Sequence, residues 1–541
     1  MNGQATDTSD SADFVRPASE RLNGGGAPNE IFRTFASRMA VLAWAALLVF
    51  WGIYATDHFV APADSVFTNP LSRYFTFQAD SNQIAALAGM NAAIFAIVIT
   101  VASIIVQLTA DRYTGVARMF LRDKINVRVA AYYVITCVVG AWLVLAIHSD
   151  YAPRATIALL LSLTTGGIVL MMPYFGYVFW FLEPQNLVRR VRQDAVVQAN
   201  EGALEHDQSA SFGAQPQMLR SLEELTDIAN NSISGKDKII ACAAVDALKD
   251  FALEYLKVKP RASDAWFQVG PQIRTNPDFV AMDPEALADI ETRRTWVEWK
   301  VMRQYLTIYN EALTSMRDVN YVIAIDTRYL GEAAAKTNDE ELMHLVFRFM
   351  NSYLRSALNA RDVRTVYNVL NQYRKLVSSM LENGRARAAI AGVKHMKYYG
   401  LVGFELGLDF VTETVGYDLS ALVEHANELK SPAENDILGD FLELDRAPFV
   451  RGQDKALMGV RRAQAKLAAY YIMTGQEARA RAIANDMRDE PQDRLQAIER
   501  QLQAVDNKDF WEIVDRGRNF EWMPAEQRAC LATFFGWLAR D

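Results

Sequence analysis

The chain has 541 residues, of which 51% are hydrophobic and 22% charged, and its formal net charge is -8. This length is too great for a single hydrophobic core, so several structural units are expected. The negative charge balance gives no overall basic surface, so a nucleic-acid-binding protein is not expected. The three cysteines, Cys137, Cys242 and Cys530, lie far apart without a C-x-x-C pair, which predicts neither a disulfide framework nor a zinc site.

The beginning of the chain is polar. Residues 1–30 are rich in Ser, Asp, Gly and Ala and include Gly24-Gly25-Gly26. This composition offers too little apolar surface to offset the entropy lost on ordering, so segment 1–30 is expected to be disordered. A cleaved signal peptide is not expected, because the first apolar run begins only after this polar segment and further apolar runs follow it.

Four apolar runs follow in the first third of the chain. A hydrocarbon layer of about 30 Å requires roughly 20 apolar residues in a helix that crosses it. The four runs that approach or exceed this length are 39–56, 84–108, 129–147 and 155–182. Together they predict a four-span transmembrane domain over residues 31–192.

The orientation of these spans is indicated by the basic residues in the short loops. Segment 57–83 contains only Arg73, and segment 148–154 contains only Arg154. The alternate flanking segments carry the remaining basic residues, namely Arg33, Arg38, Arg112, Arg118, Arg122, Lys124, Arg128, Arg189, Arg190 and Arg192. Because such residues concentrate on the cytoplasmic side, both termini are expected in the cytoplasm.

The second span carries a stripe of small and then polar residues at steps of four or three. We call the helix predicted for this span, 84–108, α1 and name this set the α1 stripe; it consists of Ala85, Gly89, Ala93, Ala96, Thr100, Ser103 and Gln107. Small residues on one face allow a second helix to approach closely, so packing against a neighbouring helix of the same chain is the preferred interpretation. Self-association and a pore-facing position are the alternatives. No Asp, Glu, Lys or Arg lies in the middle of a span, which argues against an ion-coupled carrier.

Segment 105–124, with the sequence IVQLTADRYTGVARMFLRDK, has a Gln near the end of a span and then a basic F-L-R-D stretch. It resembles the bacterial predicted-membrane-protein family catalogued as domain of unknown function 2254, and segment 222–248 resembles that family's helix after the last span. Gly115 and Lys238 stand where the family has Pro. The resemblance covers about residues 84–256 and implies a bacterial membrane protein, which we place in the cytoplasmic (inner) membrane, without an assigned activity.

The chain beyond the spans is predicted to be soluble and helical. Segment 193–217 is polar and predicts a linker. Segment 218–430 is predicted to be a helical cytoplasmic domain, because its apolar residues recur with helical periodicity. Within it, apolar residues of 362–381 follow i, i+3, i+4, i+7 spacing, and Asn383-Gly384 predicts the end of that helix.

The C-terminal segment 431–541 is predicted to form helix pairs. Gly475 and Asn507 mark equivalent turns at a spacing close to the approximately 34-residue period of tetratricopeptide repeats. These pairs resemble degenerate tetratricopeptide repeats, although a plain helical bundle remains an alternative. The predicted fold class is therefore all-α, with a four-helix transmembrane domain followed by a cytoplasmic α-helical bundle or short α-solenoid.

The sequence contains no phosphate-binding loop, nucleophile elbow or dinucleotide-binding glycine motif, and its six histidines form no metal-ligand pair. We therefore expect no catalytic, cofactor or metal site and no enzymatic activity. The acidic runs 223–224 and 339–341 are expected to be solvated helix faces.

Two functions fit these features. The first is a membrane-anchored scaffold or sensor that binds a protein partner on the cytoplasmic side. The alternative is a homo-oligomeric ion channel, gated by the cytoplasmic helical domain, with the second span lining or surrounding the pore. The expected partners are accordingly the lipid bilayer, a cytoplasmic protein and further copies of the same chain.

Overall fold

The computed structural model describes residues 81–110, 116–147, 153–445, 454–509 and 519–539, together with Arg516 and part of 44–55. Within these residues every regular element is a helix and no strand occurs, which confirms the all-α class. The chain divides into two compact units, Met1–Asp194 and Ala195–Asp541. Segment 1–30 and half of the first predicted span, 39–56, lie outside the described residues.

Among its described residues, the first unit contains three helices that are long and apolar enough to cross a membrane. Its labelled helices are α1 (Ser81–Ala110), α2 (Val116–Arg122), α3 (Lys124–Ala146) and α4 (Arg154–Leu182). The second, third and fourth predicted spans coincide with α1, α3 and α4, so these three are confirmed as candidate membrane spans.

Hydrogen bonds and close backbone contacts join the long helices of the first unit. The Asn91 Nδ2 atom of α1 donates to Thr164 Oγ1 of α4 at 2.8 Å, and both side chains are buried. The Tyr133 hydroxyl of α3 donates to the Gly167 carbonyl of α4 at 2.8 Å. A Cβ atom on Gly140 of α3 would lie only 3.2 Å from the Ala88 Cβ atom of α1. Such small residues and interhelical hydrogen bonds stabilise helix packing in the absence of a hydrophobic driving force.

A polar cluster lies where α3 begins and α4 ends. The Asp123 carboxylate caps α3 by accepting from the Ile125 and Asn126 backbone N–H groups. It also accepts a hydrogen bond from the Tyr177 hydroxyl at 2.8 Å and lies 3.5 Å from the Arg190 guanidinium. Helix caps and buried ion pairs of this kind fix the ends of helices, so the cluster holds α3, α4 and the following helix together.

The second unit is built from helix hairpins. Its helices are α5 (Pro184–Leu204, which begins in the first unit), α6 (Gln208–Ser234), α7 (Lys238–Val258), α8 (Trp296–Ser315), α9 (Arg317–Thr337), α10 (Glu340–Asn359), α11 (Val363–Glu382), α12 (Ala386–Glu405), α13 (Asp409–Glu428), α14 (Glu434–Leu442), α15 (Asp454–Met473), α16 (Glu477–Asp486), α17 (Gln492–Gln503) and α18 (Ala525–Gly536). Three short helices, Pro271–Arg274, Pro277–Val280 and Pro284–Thr292, lie between α7 and α8.

Consecutive hairpins of this unit stack in two layers. One layer consists of α7, α9, α11, α13 and α15, and each of these helices packs against the next. The other layer consists of α6, α8, α10, α12 and α14, which pack in the same way. Hairpin partners such as α10 and α11 pack across the layers. Each hairpin therefore buries its apolar face against its neighbours, which is how stacked helical repeats are stabilised.

The middle hairpins repeat at an interval that the sequence analysis did not find. Helices α9, α11 and α13 begin at Arg317, Val363 and Asp409, at intervals of 46 residues. Each is followed by a residue in the left-handed region, namely Asn338 (φ 59°), Gly384 (φ 71°) and Lys430 (φ 51°). The helix end predicted at Asn383-Gly384 is thus confirmed. The interval is longer than the approximately 34-residue period of tetratricopeptide repeats.

In the C-terminal segment, Gly475 has a φ of 75° and separates α15 from α16, as predicted. The helix predicted after Asn507 falls largely in 510–518, of which only Arg516 is described. The assignment of segment 431–541 to tetratricopeptide-like pairs therefore stays a prediction.

The linker predicted for segment 193–217 is wrong, because α5 and α6 cover this segment except for 205–207. Two of the small and polar residues of this segment, Gly202 and Gln215, are buried at close helix contacts. A Cβ atom on Gly202 would overlap the ring of Trp266. The Gln215 side chain is also buried, where it donates to the Gln268 carbonyl at 2.7 Å and accepts from the Gly270 N–H at 2.8 Å.

Candidate functional site

The α1 stripe lies on an uncovered face of its helix. All seven of its residues are exposed, namely Ala85, Gly89, Ala93, Ala96, Thr100, Ser103 and Gln107. The opposite face of α1 carries the buried residues, including Ile84, Asn91 and Val98. The expected packing against a neighbouring helix of the same chain is therefore not found among the described helices.

Gly89 illustrates the difference between the two faces of α1. A Cβ atom on Gly89 would have no heavy atom of the described residues within 4 Å. By contrast, Ala88 of α1 is closely packed, because a Cβ atom on Gly140 of α3 would lie 3.2 Å from the Ala88 Cβ atom. Small residues that meet no partner among the described residues leave room for the approach of another helix. The stripe is accordingly a surface on which a second membrane helix can pack.

A second candidate site is a groove of about 640 Å³ in the helical unit. It is formed by α9, α11 and α13, the three helices that repeat at intervals of 46 residues. Its charged lining residues include Arg328, Lys336, Arg374, Lys375, Glu424 and Glu428. We call this surface the α9–α11–α13 groove.

Several charges of the groove are paired within the chain. The Arg328 guanidinium forms an ion pair with Glu332 on the same helix. Arg374 Nε lies 3.3 Å from the buried Asp418 carboxylate, to which Arg516 also pairs at 2.6 Å. These pairs offset the charge of both groove-lining guanidinium groups.

Of the remaining charges of the groove, Lys375 on α11 and Glu424 on α13 lack such a partner among the described residues. Lys375 has no ion pair or hydrogen bond among the described residues, and burial and the charges of nearby arginines lower its pKa. Glu424 has a buried carboxylate oxygen, Oε1, with no hydrogen-bond partner. Burial raises the pKa of Glu424 to about 6, although the charge of Lys466 acts in the opposite direction. The Lys375 ammonium on α11 and the Glu424 carboxylate on the adjacent helix α13 are thus available to a ligand.

Beneath the groove, equivalent positions of successive helices are joined by a polar ladder. Its four contacts are Lys249 to Asp326 (3.7 Å), Arg328 to Gln372 (2.8 Å), Arg374 to Asp418 (3.3 Å) and Ser420 to the Ala463 carbonyl (3.4 Å). Because the accepting residues Asp326, Gln372 and Asp418 are spaced at the repeat interval and are buried, the ladder fixes the register of the helices that form the groove.

Asp326, one member of this ladder, is expected to give the free energy of unfolding an unusual pH dependence. Burial raises the pKa of Asp326 to about 7, with Lys249 opposing and Asp246 and Asp250 adding to the rise. The unfolded chain loses this proton near about pH 4, so the free energy of unfolding should fall as the pH rises from about 4 to about 7.

Asp326→Asn cannot ionise, and Lys249 keeps Asp246 at 2.8 Å as its partner. We therefore expect Asp326→Asn to raise the unfolding temperature at about pH 8, with a stability gain of up to about 4 kcal/mol, and to change little at about pH 4. Circular dichroism melts of the full-length protein in detergent test this, with the exposed Asp289→Asn as the control. A lower unfolding temperature of Asp326→Asn at about pH 8 would contradict the expected cost of the buried carboxylate.

The acidic runs predicted to be solvated are partly structural. Glu223 Oε1 accepts from the buried Lys300 at 2.8 Å, and Asp339 caps α10 and pairs with Lys259 at 2.7 Å. Among the described residues, no group of three or more His, Cys, Asp or Glu side chains is placed to hold a metal ion.

Comparison of the chain with protein-family models, with curated proteins and with solved structures found no match. The class of the molecule therefore follows from its own features: its described residues are helical and include three helices long and apolar enough to cross a membrane. The resemblance to the domain of unknown function 2254 family stays a prediction.

Proposed function

We propose that this protein is a membrane-anchored helical scaffold or sensor without catalytic activity, which binds a segment of a protein partner on the cytoplasmic side. The observation that carries this proposal is the α9–α11–α13 groove. Small-molecule sites are mostly apolar, whereas this groove is lined by charged side chains from three stacked helices, which suits a peptide segment.

The membrane placement rests on the spans and their flanking charges. We propose a multi-pass protein of the bacterial inner membrane with both termini in the cytoplasm, because the basic residues concentrate in alternate loops. In this arrangement the membrane helices restrict the scaffold to the bilayer surface. Partner proteins bound in the groove would be concentrated there.

Photo-crosslinking in cells tests the proposed function. A photoreactive amino acid at Ser378, which lines the groove on α11, should give a discrete adduct with a partner protein. The same amino acid at Arg348, an exposed position on α10 outside the groove, should not. Lys375→Glu should abolish the Ser378 adduct, because it reverses an unpaired charge in the groove. Equal adduct yields at Ser378 and Arg348, or a Ser378 adduct that Lys375→Glu leaves unchanged, would contradict the proposal.

The uncovered α1 stripe favours a second candidate, the homo-oligomeric ion channel gated by the cytoplasmic helical domain. Thr100, Ser103 and Gln107 give the stripe hydroxyl and amide groups at one end, and such groups can line an aqueous pore. In the scaffold, the same stripe would pack against a second copy of the chain. The two functions differ in whether Gln107 contacts water or another helix.

A further inference from the structure

Lys375 of α11 and Glu424 of α13, two unpaired charges of the α9–α11–α13 groove, have a defined spacing. Ser378 and Glu424 occupy equivalent positions of α11 and α13, because both lie 15 residues after the first residue of their helix. Lys375 precedes Ser378 by less than one helical turn. A rise of about 1.5 Å per residue and an interaxial distance of about 8–10 Å place the Lys375 and Glu424 positions about 10 Å apart.

We infer that the groove binds an extended segment of a partner protein with one acidic and one basic side chain about three positions apart, the acidic one at Lys375 and the basic one at Glu424. In the extended polyproline-II conformation a chain advances about 3.1 Å per residue with three residues per turn. Side chains three positions apart therefore lie on the same side of the segment, about 9–10 Å apart. This inference rests on the proposed scaffold function and specifies the chemistry of its partner.

The acidic side chain belongs at Lys375 because this ammonium has no carboxylate partner among the described residues, whereas the neighbouring Arg328 and Arg374 are paired with Glu332 and Asp418. A partner carboxylate there would supply the missing counter-charge in a partly desolvated groove.

The basic side chain belongs at Glu424, whose buried Oε1 atom has no hydrogen-bond donor. A lysine or arginine of the partner would supply a counter-charge to this carboxylate, which lines the groove, and Glu428 lies one helical turn further along α13. A wholly acidic segment would meet the carboxylates of Glu382, Glu424 and Glu428, and a wholly basic one would meet Lys375. The groove therefore selects a segment with both charges.

Binding of short Gly/Ser-based peptides to the full-length protein in nanodiscs tests the inference. Four fluorescent peptides would carry Glu-x-x-Lys, Glu-x-x-Glu, Lys-x-x-Lys or Gln-x-x-Gln, and fluorescence anisotropy at low salt would give their dissociation constants. The wild type should bind the Glu-x-x-Lys peptide about tenfold or more tightly than the other three. Lys375→Glu should make Lys-x-x-Lys the preferred peptide, and Lys375→Gln should weaken binding of Glu-x-x-Lys without reversing the preference.

Lys394→Glu provides the matched control, because this exposed lysine lies on α12 outside the groove and its reversal should leave the preference unchanged. Equal binding of all four peptides, no binding of any, or the same change with Lys394→Glu would overturn the inference. If the Ser378 photo-adduct persists in that case, the scaffold function survives and only the partner chemistry is wrong. If neither the peptide preference nor the Ser378 photo-adduct is observed, the proposed scaffold function is wrong as well.

Discussion

Lys300→Met is expected to lower the free energy of unfolding of the helical unit by about 3–5 kcal/mol. Lys300 is 0% exposed, and its Nζ atom lies 2.8 Å from Glu223 Oε1 and 2.6 Å from Asp278 Oδ2. Removing the ammonium leaves the half-buried Asp278 carboxylate without its closest counter-charge. Methionine fills a similar volume, so the expected loss comes from the charge rather than from a cavity.

The pH dependence of this loss gives a second measurement. Burial acts to raise the pKa of Asp278, but the hydrogen bonds and charges of Lys300 and Arg303 outweigh burial and hold that pKa below its usual range. The stability gained from this carboxylate is therefore present above about pH 4 and is lost as the pH falls through the lowered pKa. The difference between wild type and Lys300→Met should be largest near neutral pH and smaller in acid.

Denaturant unfolding of the full-length protein in detergent, followed by circular dichroism, measures both effects. The control is Lys336→Met, because Lys336 is exposed and lies in the groove rather than in the core. This variant should change stability by no more than about 0.5 kcal/mol. Equal losses in the two variants would show that the buried ion pairs of Lys300 do not stabilise the fold.

Gly331→Val is expected to destabilise the helical unit by about 3 kcal/mol. The equivalent positions one and two repeats later are Val377 and Val423, so the repeat alone would suggest that valine is accepted. In α9, however, a Cβ atom on Gly331 would lie 2.5 Å from Leu376 Cδ1 and 3.0 Å from Val346 Cγ1. Three helices meet at this glycine, and a branched side chain would separate them.

The control for Gly331→Val is Gly439→Ala in α14, where an added Cβ atom would have no heavy atom of the described residues within 4 Å. Gly439→Ala should be neutral or slightly stabilising, because alanine has the higher helix propensity. Thermal melts of both variants in detergent measure the difference. A Gly331→Val variant as stable as wild type would contradict the close packing of α9 against α10 and α11.

The parts of the fold that depend on local periodicity could be predicted from the sequence. Segment 362–381 was predicted as a helix from its apolar spacing, and α11 spans Val363–Glu382. The repeat of 46 residues was missed because its left-handed turn position holds three different residue types, Asn338, Gly384 and Lys430, which give no common motif. Segment 193–217 was misassigned because a buried glycine or glutamine looks the same in a sequence as an exposed one.

The candidate sites depend on tertiary structure that periodicity does not report. The spacing of small residues located the α1 stripe, but its exposure follows from the rotation of α1, which directs Asn91 toward Thr164 instead. The groove was not predicted, because Arg328, Lys375 and Glu424 belong to three helices that converge only when the hairpins stack. The intervals between Arg328 and Arg374 and between Glu382 and Glu428, both equal to the repeat, were signals available in the sequence.

Ion flux from liposomes containing the purified full-length protein distinguishes most directly between scaffold and channel. The scaffold function predicts flux at background level for the wild type under voltage, tension and osmotic shock. Gln107→Leu should then alter only the stability of the assembly, by about 0.6–2 kcal/mol, because an amide packed between helices loses its hydrogen bond. Robust wild-type flux that Gln107→Leu abolishes or alters at unchanged thermal stability would contradict the scaffold function and establish the channel.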